Sequence, residues 1–248
     1  MSEKEKNRWL TKNRLLSAKL IVVLLVAVVL FSFASVRNEK RLLISSVVKF
    51  ENPEHPLISE ETVNKLLIQN KGSVKNIRKL ALDLNKLETE LDSNPYVRNA
   101  NLYVSVNGEV GVSVLQKKPL ARVQTNKTFY IDEDGDLMPI SPNFSVRVPL
   151  VTGNVNKKNL KEVYTVVKNI NQDSFFKKEI EGVIVKNNTF TLLTREFDFV
   201  IDLGSSENIK MKLKNFKAFY EKALKDRTLK KYKRVNLQIA TQVICTKK

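Results

Sequence analysis

Ala100-Asn101-Leu102-Tyr103-Val104-Ser105-Val106-Asn107-Gly108-Glu109-Val110-Gly111-Val112-Ser113-Val114 is the stretch that decides the fold. Its apolar residues fall on every second position: Ala100, Leu102, Val104 and Val106, then Val110, Val112 and Val114. A period of two belongs to strands with one face on a core. Asn107-Gly108 between the two runs is a strong hairpin signal, because both residues tolerate positive φ. The stretch therefore predicts two antiparallel strands, with Val106 on the inward face.

Upstream the period becomes helical. Leu80, Leu84, Leu87 and Leu91 recur at helix intervals, Asn85 and Glu88 stand at capping-box spacing, and Asn94-Pro95 ends the run. The segment Asn76 to Leu82 matches neither period. Ser59 reads as an earlier N-cap, with Glu60 and Glu61 in the first turn against the helix dipole and Ile58 and Val63 spaced as a hydrophobic staple. Val63, Leu66 and Leu67 form the inner face, and Gly72 marks the stop. Val47 to Glu51 is a β-branched strand that ends at Pro53. The order strand, helix, helix, strand, strand predicts two helices on one face of a three-stranded sheet, closed by Lys117-Lys118-Pro119.

Ahead of this unit, the run from Leu20 through Val28 to Val36 carries no charge. At about 1.5 Å per residue it spans most of a roughly 30 Å hydrocarbon core. Lys4, Lys6, Arg8, Lys12, Arg14 and Lys19 precede it, against Glu3 and Glu5, so the positive-inside rule puts the tail in the cytoplasm and the body outside. Arg37, Lys40 and Arg41 on the far flank weaken that bias without reversing it. The alternative is a cleaved signal peptide ending near Ser32-Phe33-Ala34, but the apolar run is longer than a signal core requires.

Beyond Arg122 strands dominate: Phe129 to Asp132, Val148 to Val151, Gly182 to Lys186, Thr189 to Thr194 and Phe197 to Leu203, with turns at Asn187-Asn188 and Arg195-Glu196. Asn156 reads as the cap of a helix with Val155 and Leu160 as staple and Leu160, Val163, Val167 and Ile170 inside. A second helix puts Ile209, Leu213, Phe216, Tyr220 and Ala223 inside and its lysines in solvent. A closing strand is expected from Arg234 to Cys245. Along it Val235, Leu237, Ile239, Thr241 and Val243 alternate with Asn236, Gln238, Ala240 and Gln242, one set inward and one outward.

The chain carries a formal net charge of +17. From Ser205 onward, thirteen Lys or Arg stand against Glu207, Glu221 and Asp226. Such a surface suits anionic headgroups or an acidic partner, although a solvated helix face is the plainer account. Cys245 is the single cysteine and His55 the single histidine, so no intrachain disulfide and no His/Cys metal site can form. Cys245 reads as a structural residue of the last strand. Asp132-Glu133-Asp134-Gly135-Asp136 contains two Asp-x-Asp pairs, which in a type II membrane protein raise the alternative of a metal-dependent glycosyltransferase. The EF-hand spacing fails, no catalytic companions stand nearby, and Asp and Gly are favoured in turns for backbone reasons. No cofactor motif is found.

Several pieces taken in order resemble the FtsQ/DivIB cell-division proteins. Asn94-Pro95-Tyr96-Val97 before Ala100 resembles the start of the second strand of their POTRA domain, and Lys118-Pro119-Leu120-Ala121 the way out of it. Tyr130 to Gly135 resembles their Ile-Asp hairpin, Val148-Pro149-Leu150-Val151-Thr152-Gly153 their Pro-containing strand, and Val200 to Gly204 the strand before a lysine-rich helix. The resemblance implies an α+β protein. A cytoplasmic tail (1–19) and a transmembrane helix (20–36) would precede a POTRA domain (42–120) and a second α+β domain with a mainly antiparallel sheet (121–248). It further implies a non-enzymatic divisome scaffold in the bacterial inner membrane, at the septum. Such a scaffold links early division proteins to septal peptidoglycan synthesis and binds FtsB/FtsL-like partners, with no nucleic acid and no small-molecule substrate. The family adds a partner strand near its closing strand, here Val235 to Val243, where Ile239 stands in place of the usual aromatic. A POTRA-type assembly chaperone is a further alternative, but repeated POTRA units are absent.

Overall fold

The computed structural model describes residues 3–39, 43, 45–68 and 82–248. Gly72, Leu80 and the flanking charges Lys40 and Arg41 lie outside the described residues, as does most of Asn76 to Leu82. Helix α1 (Glu3–Glu39) is continuous through Ser32-Phe33-Ala34. Its segment Lys19–Arg37 is long and apolar enough to cross a membrane, and none of it is buried. Leu20, Val28 and Val36 are all exposed. The helix fits a single-pass membrane anchor.

The described residues form two compact units. The first draws on Met1–Lys49, Glu61–Leu91 and Ala100–Ser113, the second on Phe50–Glu60, Asp92–Asn99 and Val114–Lys248. The small sheet has the order β1 (Ser45–Phe50), β3 (Glu109–Gln116), β2 (Val97–Val104). Helices α2 (Glu60–Ile68) and α3 (Leu84–Asp92) lie between β1 and β2 in the chain. Ala100, Leu102, Val110, Val112 and Val114 are buried as the alternation requires.

Val106 is not: its side chain is 77% exposed. The hairpin turns over Ser105–Gly108 rather than over Asn107-Gly108 alone. Gly108 N–H donates to the Ser105 carbonyl, Ser105 N–H donates to the Glu109 carbonyl, and Gly108 takes φ +87°. Val106 is thereby a turn residue, outside the ladder whose alternation it continued. Asn85 does not cap α3 either. Asp83 does so, its Oδ1 accepting from Lys86 N–H, while Glu88 turns away and accepts from Leu102 N–H on β2. A strand amide without a ladder partner outbids the local capping box.

The larger sheet has nine strands in the order β12-β11-β10-β9-β8-β7-β4-β5-β6. They span Pro119–Gln124 (β4), Thr128–Asp132 (β5), Leu137–Pro139 (β6), Leu150–Gly153 (β7), Ile180–Lys186 (β8), Thr189–Thr194 (β9), Val200–Gly204 (β10), Tyr232–Asn236 (β11) and Ile244–Lys247 (β12). Most pairings are antiparallel, but β4–β7, β7–β8 and β10–β11 are parallel. Parallel neighbours need a crossover. Helices α4 (Leu160–Gln172) and α5 (Ser174–Glu179) supply it between β7 and β8, and α6 (Ile209–Lys225) between β10 and β11. Val163, Val167, Ile170, Phe176, Leu213 and Phe216 carry these helices into one core with the sheet. Helix α4 begins at Leu160, later than the cap read at Asn156. Asn156 Oδ1 instead closes the preceding turn, accepting from Lys158 and Asn159 N–H. Asn187 and Asn188 both take positive φ, which makes the β8–β9 turn.

Candidate partner-binding edge

The expected closing strand is broken. Residues 237–243 leave the extended conformation, and the chain returns as β12 antiparallel to β11. Two local bonds and one from α6 turn it. Asn236 Oδ1 accepts from Gln238 N–H, Gln242 N–H donates to the Ile239 carbonyl, and Asn215 on α6 donates from Nδ2 to the Ala240 carbonyl. An Asx turn at Asn236 is the device that overrides the alternation. Gly204 lets the turn sit close against the end of β10: a Cβ there would come within 2.9 Å of Gln238 Cγ, and its φ is +69°.

The nine residues read from sequence are therefore divided. Val235 and Leu237 are buried in the core, and Leu237 N–H donates to the Asp202 carbonyl. Val235 and Asn236 sit in β11, between β10 and β12, so their strand has no open side. Gln238, Ile239, Ala240, Thr241, Gln242 and Val243 form the connection. In it Ile239, expected inward, is 53% exposed, Thr241 is exposed, and Val243 is half-buried against the core. The edge strand is β12, which begins at Ile244, one residue past Val243.

Around this edge the chemistry is structural. Arg234 pairs with the buried Asp202 at 2.6 Å, and Thr191 Oγ1 donates to Asp202 Oδ1. Lys212 was expected in solvent with the other α6 lysines. It is buried, and its Nζ donates to the carbonyls of Leu203 and Ser205, each at 2.9 Å. Burial lowers its pKa, partly offset by the charge of Glu207. Spacing held the signal: Ile209, Lys212, Leu213 and Phe216 share one helix face. Cys245 is half-buried against the core, and burial pushes its thiol up, away from the thiolate needed for chemistry. At the far end Lys248 N–H donates to the Lys231 carbonyl and Nζ reaches Asp198 at 3.3 Å. On the outward side, β12 has no neighbouring strand among the described residues.

The acidic cluster is a tight turn. Asp132 is fully buried, and its Oδ1 accepts from the N–H groups of Asp134 and Asp136. Oδ2 lies 3.0 Å from Lys117 Nζ. Gly135 has φ +91°, and Arg98 pairs with Glu133 and Asp134. Asp132 is committed to amides and a lysine.

A family model described as FtsQ/DivIB, C-terminal related, matches residues 118–246, which is half of the chain. This chain belongs to the FtsQ/DivIB family. The match runs from β4 into β12 and so takes in every strand of the larger sheet up to residue 246. No curated protein matches the chain. FtsQ/DivIB proteins are non-enzymatic cell-division proteins, and membership gives this one a scaffold role in division, carried with an N-terminal apolar helix of membrane-spanning length.

Proposed function

We propose that this FtsQ/DivIB protein is a membrane-anchored divisome scaffold that recruits an FtsB/FtsL-like partner by strand addition, linking early division proteins to septal peptidoglycan synthesis. The open side of β12 at the end of the nine-stranded sheet carries this reading. An edge strand offers backbone donors and acceptors to an incoming strand, which needs no particular side chain to pair. The side chains add a preference. Ile239 and Ile244 are both about half exposed, and the exposed Lys233 and Lys247 stand on β11 and β12, which favours an acidic segment with apolar residues. The connection from Gln238 to Val243 flanks the docked strand, and Val235 to Leu237 supports it from within.

The basic tail places the N-terminus in the cytoplasm and the body outside it. A POTRA domain over 42–120 and a β domain over 121–248 complete the architecture. The family match beginning at residue 118 supports that boundary. Photo-crosslinking side chains at Ile244 and Thr246 in living cells test the docking. They are expected to capture a small coiled-coil division protein, whereas one at Leu137 on β6, the opposite edge, captures none. Absence of capture at both β12 positions, in cells that divide normally, overturns strand addition there.

A further inference from the structure

The small sheet presents a second surface. Strand β1 leaves the sheet level with the end of β3: Glu51 N–H donates to the Val114 carbonyl, and Asn52 Nδ2 donates to the Gln116 carbonyl. The two strands therefore run in the same direction. The start of β1 at Ser45 lies at the end of the sheet where the β2–β3 hairpin turns over Ser105–Gly108. The same register carried back sets Val47 beside Gly111. Across the hairpin, the Tyr103 ring covers Gly111 so closely that an added Cβ would fall 2.2 Å from it.

Val47, Tyr103 and Val106 thus gather at one end of the sheet's outer face, 54%, 60% and 77% exposed. Farther along the same face the residues are polar: Lys49, Asn101 and Ser113. Apart from exposed Glu109 beside the turn, apolar character falls away along this face, and a tyrosine sits between, as at a bilayer interface. The chain arrives at this end from α1, which stops at Glu39, with β1 starting at Ser45. Fully extended, that connection reaches at most about 22 Å. The tether therefore keeps the hairpin turn within reach of the headgroup layer, itself about 5–8 Å thick.

We propose that the Ser105–Gly108 turn, with Val106 leading and Tyr103 and Val47 behind it, inserts into the interfacial layer of the bilayer that α1 anchors. It would be a second, shallow attachment that orients the small sheet. Exposed Glu109 beside the turn keeps the contact from depending on anionic lipid, so the occupant is the apolar boundary of the headgroups rather than a charged patch.

The test uses the full chain, with Cys245→Ser and either Val106→Cys or Asn101→Cys, labelled with the environment-sensitive fluorophore NBD. The protein is reconstituted in vesicles of phosphatidylethanolamine and phosphatidylglycerol. The probe at 106 should emit as from an apolar environment and lose about half or more of its emission to lipids spin-labelled near the headgroup, with the probe at 101 unaffected. Adding Val47→Ser and Tyr103→Ser should return the 106 probe toward aqueous emission. Near-unchanged circular dichroism checks that the fold is retained once the Tyr103 ring no longer covers Gly111. Aqueous emission at 106, or equal quenching at 101 and 106, overturns the proposal. So does shielding seen only in native membranes, which would assign the turn to a protein partner.

Discussion

Lys212 shows how much one side chain can hold on this fold. Its ammonium donates to two carbonyls at the exit of β10. Lys212→Ala leaves both acceptors short of a donor and should cost about 1–3 kcal/mol, read as a fall in urea midpoint. An exposed control on the same helix, Lys210→Ala, should stay within about 0.5 kcal/mol of the parent. Tyr220 makes the complementary case. Burial first, then the charges of Glu179 and Glu196, push its hydroxyl from 10.0 to about 12. Between those values the folded state keeps a proton that the unfolded state has released. The contribution of Tyr220 is therefore fully present below pH 10 and lost as pH rises toward 12. Urea unfolding across that window should show a shallower alkaline decline in Tyr220→Phe than in the parent. An identical slope would show that the hydroxyl does not titrate late.

At the scale of elements, the β5–β6 hairpin rests on Asp132. Asp132→Ala removes the acceptor of two turn amides and the nearer of the two carboxylates beside Lys117, and should destabilise by about 2–3 kcal/mol. Asp134→Ala loses one surface contact with Arg98 and should cost under about 1 kcal/mol. Manganese should leave the melting temperature of the parent unchanged. A thermal shift with Mn²⁺ that Asp132→Ala abolishes would return the metal-dependent transferase to consideration. The alternating stretch from Ala100 was legible as a hairpin because its burial follows from pleat geometry alone. Its turn was not, since Ser105 and Gly108 choose the bond that closes it. The closing strand failed for a related reason. Alternation in Val235 to Val243 describes a possible strand, but Asn236 and Asn215 offer the backbone better bonds in a turn.

With the basic tail inside, external protease on spheroplasts should digest the body and leave a small fragment containing α1. Complete protection of the body would reverse the orientation and remove it from the compartment where septal wall is built. Depletion should lengthen cells while elongation continues, and normal cell length after verified depletion would count against the divisome assignment.

The apolar anchor, the α+β class, the β2–β3 hairpin and the apolar stripes of α4 and α6 were legible in the sequence, whereas β4, β6, α5 and the separate edge strand β12 were not. Each legible feature follows from a local period or an unbroken apolar run, and burial of apolar surface acts on those patterns wherever the chain ends up. Tertiary packing selects the strand that closes the large sheet, makes three of its pairings parallel and turns Lys212 inward. Those outcomes depend on hydrogen bonds between residues distant in the chain, such as Lys212 to Leu203 and Leu237 to Asp202. A backbone group buried without a partner costs more than a pattern broken by a few residues, so the long-range bond wins.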